Sequence, residues 1–199
     1  MTLVLSRITT SYIPTPRGSD IGRPSKGEHT LSKEEFIEVA LTVLDRDGVN
    51  GLSFRSLARH LGVTPMAVMH HVGTRHEMLK SVVARVYDGV DEPPANSTPH
   101  DCLRALLSGY CKRVLAHPNV AILVLSDPLL LTGPLISLTE KIRSNVALLV
   151  QSKKEVDAVL DVVVDYTHGF AIAAASAQGQ KRPTLKGFQR GLDWILNRI

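Results

Sequence analysis

The sequence predicts an all-α protein, and three observations carry that prediction. Of the 199 residues, 44% are hydrophobic but only 5% aromatic, so the core is mainly Leu, Val, Ile and Ala, which suits packed helices better than aromatic-rich strands. Ser32, Ser53, Thr64 and Thr74 each precede an apolar-periodic segment, which is how a helix start reads in sequence. Beyond residue 100, apolar residues recur at three- and four-residue steps, as in Leu103, Leu106, Leu107, Tyr110 and Val114, and so share one helical face. A chain of this length makes one large domain or a small one joined to a medium one.

Taken in order, residues 1–30 hold Pro14, Pro16, Gly18, Gly22, Pro24 and Gly27, which break both helical and strand periods, so a flexible arm is expected. Its Arg23 and Lys26, in "GRPSK", leave two readings open: a plain leader, or an arm that tracks a DNA minor groove. "LSKEEFIEVALTVLDRDG" begins with Ser32 and, three residues on, Glu35, a capping box, and carries Phe36, Ile37, Ala40, Leu41 and Leu44 on one face up to Gly48. Ser53 caps a short second helix, "FRSLARHL", which Gly62 ends. Thr64 caps a third with Pro65 in its first turn, and Thr74 a fourth through "RHEMLKSVVARVYDGV". "DEPPANSTP" reads as a connector, and further helices are expected at about 100–116, 118–126, 133–151, 154–178 and 184–198. The domain expectation is therefore an arm at 1–30, a first helical unit at 31–90 including the fourth helix, and a second helical unit at 91–199.

The second and third helices, about three residues apart, are a helix-turn-helix pattern. Ala58 is small where the third helix crosses, Gly62 takes the turn with positive φ, and Val63 and Val68 lock the pair. That leaves Thr64, Pro65, Met66, Ala67 and His70 outward. From Gly48 to His76 there is no Asp or Glu, but there are Arg55, Arg59, Arg75 and four histidines, so anions meet a local positive field although the whole chain carries only +4. An acid-free face at the N-terminal end of such a helix fits a DNA major groove. Met66 and Ala67 offer apolar contact to thymine methyls, Thr64 and His70 hydrogen bonds to bases or phosphates, and Ser53, Arg55 and Arg75 hold phosphates at helix N-termini.

In "SFRSLARHLGVTPMAVMHHVGTRHEML" the chain resembles the tetracycline-repressor (TetR) family of transcriptional regulators over about residues 32–88. The matches or near equivalents include Ser53, Arg55, Ala58, Gly62, Thr64, Ala67, His71, Thr74, Arg75 and Leu79, and the preceding "GRPSKGE" also looks like the family. Two departures stand out. Met69 occupies the place of a phosphate-contacting Tyr, and Val72 that of a Phe. The resemblance implies a dimeric regulator that binds a palindromic double-stranded DNA operator and responds to a small-molecule effector, without a cofactor.

In the C-terminal part, Tyr110, Asn145 and Tyr166 are polar groups on otherwise apolar helices. They read either as ordinary amphipathic edges or as orienting groups of an apolar pocket with Leu106, Leu138, Ile142 and Phe170. The small residues of "AIAAASAQG" and the apolar face from Phe188 to Ile199 suggest a homodimer through the last two helices. A different function class, a metal-dependent helical enzyme, would use Asp161, Asp165 and His168 on one helical face, but with Asp157 these also continue an ordinary polar stripe. No two histidines lie three or four residues apart, which weighs against a zinc site. Cys102 and Cys111 point to opposite sides of one helix and cannot bridge within it. With no signal peptide and no apolar run near the length of a membrane span, a cytoplasmic protein is expected.

Overall fold

The computed structural model describes residues 31–90, 93, 96–177 and 182–199. The proposed arm with Arg23 and Lys26 lies outside them. Every described element is helical: α1 (Lys33–Gly51), α2 (Phe54–Leu61), α3 (Pro65–Val72), α4 (Arg75–Tyr87), α5 (Pro99–Ala116), α6 (Pro118–Ser126), a 3₁₀ turn (Pro128–Leu130), α7 (Gly133–Val146), α8 (Lys153–Ser176) and α9 (Leu185–Leu196). The ends of α4 and α7 fall furthest short of the expected ones. α4 stops at Tyr87 because Asp88 turns extended, and α7 stops at Val146, before a short turn.

The helix starts follow from local chemistry. In α1 the Ser32 N–H donates to Glu35 at 2.7 Å and the Glu35 N–H to the Ser32 hydroxyl at 3.2 Å, satisfying two donors that a helix start otherwise leaves without partners. The regular course of α1 breaks at Gly48, whose φ of 69° favours glycine.

Leu31–Ile199 form one compact unit. α1 packs on α2, α3, α4 and α6, while α5 runs centrally against α7, α8, α9 and α6. α4 joins the two groups, touching α1 and α3 as well as α5, α6 and α7. Its Met78, Leu79, Val82, Val83, Val86 and Tyr87 are all buried, so it cannot shift without disturbing both. A polar seam also ties α1 to α6: Asn119 Nδ2 donates to the carbonyls of Leu44 and Asp45 at 2.9 and 3.2 Å, and His117 Nδ1 lies 2.7 Å from the Asp45 carboxylate.

Two expectations change. The α9 face meant for a partner is spent on the chain's own core, since Phe188, Leu192 and Leu196 are each 0% exposed against α5 and α8. Tyr166 reaches across to donate to the Phe188 carbonyl at 3.0 Å, and a Cβ at Gly191 would come within 2.1 Å of the same hydroxyl, so only glycine admits so close an approach. Second, α8 is long and apolar enough to cross a membrane by length and composition. Its valines and alanines outweigh Asp161 and Asp165 in that measure, although the helix packs against α5, α6, α7 and α9.

Candidate nucleic-acid interface and effector cavity

The helix-turn-helix forms because Gly62 adopts the left-handed conformation (φ 68°, ψ 27°), from which the Val63 N–H reaches back to the Ala58 carbonyl at 3.1 Å. Ala58, Val68 and Val72 fill the seam behind. In front, Met66 is 69% exposed and Met69 41%, and Thr64, Pro65 and His70 are also exposed. Ala67 departs from the outward expectation. It is half-buried at the floor of a shallow apolar hollow with Met66, Met69, His70 and His71.

The polar groups around this face are already partly committed. The Thr64 hydroxyl accepts from the Ala67 N–H at 3.2 Å and that of Ser53 from Ser56 at 3.1 Å, which leaves each hydroxyl hydrogen to donate outward. Arg55 is exposed. Arg75 is exposed as well, but one amino group donates to the Val49 carbonyl at 3.3 Å, which anchors it over the end of α1. His60 Nδ1 donates to the Ser56 carbonyl at 2.7 Å, so Nε2 accepts from Arg46 at 3.1 Å and the ring has no donor left for a phosphate. His71 stacks on Phe36 with ring centres 4.7 Å apart and is a packing residue.

The expected pocket is divided. Tyr110, Leu138 and Ile142 do converge, in a cavity of about 260 Å³ where α5, α6, α7 and α8 meet. Leu106 instead lines a more polar hollow with Asp88, Ser137 and Lys141. Tyr166 and Phe170 pack on Phe188, centres 5.1 and 5.3 Å away. The Asn145 amide donates to the Lys141 carbonyl of its own helix at 2.8 Å. The reason is rotational: helical spacing identifies an apolar side but not which of several neighbours it meets.

His168, grouped by sequence with two acids as possible metal ligands, belongs to the cavity. Its Nε2 is 2.9 Å from the Tyr110 hydroxyl, and its Nδ1 faces Asp165 at 3.9 Å. Which of the two donates is set by the ring tautomer; the Asp165 carboxylate on the Nδ1 side draws the proton there and so favours Tyr110 as the donor. Burial lowers the His168 pKa, partly opposed by Asp165, and burial raises that of Tyr110, so both are neutral at pH 7. Asp161 and Asp165 are exposed, and among the described residues no three His, Cys, Asp or Glu side chains group to hold a metal ion.

No family model matches the chain. An HTH-type transcriptional regulator of Saccharopolyspora erythraea is 32% identical over 117 residues, covering 56% of this chain and 48% of its own length. An uncharacterised HTH-type transcriptional regulator of Mycobacterium tuberculosis is 36% identical over 103 residues, 50% of this chain and 45% of its own. The chain thus spans about half the length of the curated relatives it matches. Among solved structures, Mycobacterium smegmatis BioQ superposes with a TM-score of 0.69 at 23% identity, over 85% of this chain and 97% of that one. BioQ with its natural double-stranded DNA operator gives 0.66 at 22%, over 85% and 98%. The TetR-family protein ActR of Streptomyces coelicolor, in complex with (S)-DNPA, gives 0.64 at 20%, over 86% and 98%.

The chain has the TetR-family fold. Within that fold Val72, in place of the Phe expected from the family motif, is 2% exposed and merely a smaller core residue. Met69 is a different matter, because its side chain stands at the surface and, in place of the Tyr of the family motif, carries no hydrogen-bond donor. Sequence reasoning missed the α6 side of the cavity, Ala121, Val124 and Leu125. The available signal was their three- and four-residue spacing in "PNVAILVLS".

Proposed function

We propose that the chain is a DNA-binding transcriptional repressor, cytoplasmic and without catalytic activity, that reads a palindromic operator as a homodimer and releases it when a small apolar molecule enters the α5–α8 cavity. The observation that carries this reading is the outward face of α3, which sets exposed Thr64 and Met66 at the start of the helix and His70 one turn on within a stretch free of acidic residues. In its support, the similar proteins are transcriptional regulators, and BioQ and ActR have been solved with an operator and a small molecule respectively. In this reading Thr64, Pro65, Met66, Ala67, Met69 and His70 meet the groove, and Ser53, Arg55 and Arg75, with Arg23 and Lys26 of the arm, hold phosphates.

The dimer surface moves to the outward side of the last two helices. Val162, Ile172 and Trp194 are 53%, 53% and 60% exposed. Gly169 and Ala173, one turn apart on the same side, are exposed too. Among the described residues nothing comes within 4 Å of a Cβ placed at Gly169, yet a glycine inside a helix costs about 1 kcal/mol relative to Ala, so a partner helix packed closely there gives it a reason.

For release, effector binding must favour the DNA-incompetent arrangement, since only differential affinity shifts the equilibrium. The Tyr110 ring at the cavity wall meets Tyr87, the last residue of α4, with centres 5.6 Å apart, which carries a change in the cavity to the helix that supports α3. Selecting bound duplexes from a random DNA pool tests the proposal. Enrichment of an inverted repeat is expected, and no enrichment at low salt would remove it.

A further inference from the structure

The donors and acceptors lining the cavity define its occupant more narrowly than "small and apolar". We infer that the cavity binds an uncharged apolar alcohol or phenol, whose hydroxyl donates a hydrogen bond to the Tyr110 oxygen. This rests on the effector reading given above but goes further, because it names the chemistry.

Three features lead to it. The cavity's about 260 Å³ lies below the roughly 300–1,000 Å³ of sites for drug-sized ligands, so a one-ring molecule fits and a fused polycycle does not. Among the described residues no Asp, Glu, Lys or Arg lines it, and the nearby Asp165 is 84% exposed and directed at the far side of His168. A carboxylate or ammonium would therefore enter without a counter-charge, which is strongly unfavourable.

The third feature decides the polarity. The Thr139 hydroxyl gives its hydrogen to the Leu135 carbonyl at 2.9 Å. In the tautomer that Asp165 favours, with the His168 proton drawn to Nδ1, the Tyr110 hydroxyl, 2.9 Å from Nε2, donates to the ring. The lining side chains thus present oxygen lone pairs and no free donor. A ligand with a hydroxyl satisfies them, whereas one with only a carbonyl leaves its own oxygen buried without a partner.

Menthol, menthone and menthylamine share one ring skeleton and carry a hydroxyl, a carbonyl and, near neutral pH, an ammonium group. Calorimetric titration of the full chain should find menthol binding about tenfold tighter than menthone, as one satisfied hydrogen bond against one lost requires, with menthylamine weaker than both. Removing the Tyr110 hydroxyl alone would uncover His168 Nε2 as a new acceptor, so the variant is Tyr110→Phe with His168→Leu. It should bring menthol to the level of menthone and leave menthone unchanged within about twofold, which also reports an intact cavity. Menthone equal to or tighter than menthol, binding of the ammonium as tight as that of the alcohol, an undiminished menthol preference in the double variant, or no menthol binding would each overturn the inference. Repeating the titration on protein bound to its selected duplex separates the two proposals. Menthol preference without DNA release defeats the effector reading alone, and DNA binding without menthol preference defeats the ligand class alone.

Discussion

The reading head and the cavity use their surfaces in opposite senses. In α2 and α3 the candidate contact groups stand outside a core that they do not help to build: Met66, Thr64 and His70 face solvent while Ala58, Val68 and Val72 hold the helices together. In α5–α8 the candidate contact groups are the core, with Tyr110 only 7% exposed and Leu138 and Ile142 at 5% and 2%. DNA recognition can therefore change by surface substitution at little cost to stability, whereas any change in the cavity alters packing and ligand preference together. α9 shows the same division within one helix, its Leu192 turned inward and its Trp194 outward.

The largest expected effect breaks that last contrast. Leu192→Asp sets a charge in a fully buried site and should destabilise the fold by about 3 kcal/mol or more, seen as loss of a cooperative melt by circular dichroism. Trp194→Asp should melt almost normally and sediment as a monomer with little operator affinity. A dimeric Trp194→Asp would move the interface elsewhere.

Next comes Met69→Tyr, which adds a hydroxyl at the exposed edge of α3. A hydrogen bond to a phosphate stabilises by at most about 1.5 to 3 kcal/mol, so operator affinity should rise by up to about a hundredfold with base preference unchanged. Weaker binding would mean that the methionine itself packs against the duplex. Close in size, Met66→Ala should change the selected sequence at about 1 to 3 kcal/mol per base contact without altering the melting temperature, and Thr64→Ala should change it too while losing the cap of α3, at about 1 kcal/mol of stability. Arg55→Ala should instead weaken all duplexes alike and reduce the salt slope by about one. Unchanged selection by both α3 variants would remove α3 from the groove.

Smaller still is Gly62→Ala. No atom of the described residues crowds that position, so the cost is that of a left-handed backbone alone, about 1 kcal/mol, measurable by chemical denaturation. The smallest is a pH effect at the start of α4. Glu77 is held below the usual carboxylate range, first by the Thr74 N–H and then by its hydroxyl. Because its folded pKa is lowered, its contribution is present above the unfolded value and is lost as pH falls through the folded one. Glu77→Gln should therefore flatten the acid limb of stability slightly, and an unchanged acid limb would deny the cap that role.

Much of this molecule could be read from neighbouring residues alone. Ser32 with Glu35, Thr64 with Pro65, and Gly62 determine helix starts and the turn through contacts spanning three or four positions, so the sequence by itself determined the helices and the outward face of α3. Tertiary structure decided what local spacing cannot express: that Phe188, Leu192 and Leu196 face the chain's own core, that Tyr166 and Phe170 pack with Phe188 instead of lining the Tyr110 cavity, and that His168 turns from two acids to Tyr110, 58 positions away in sequence. A helical period reports that a side is apolar, but which surface covers that side depends on how all the helices share the interior at close-packed density.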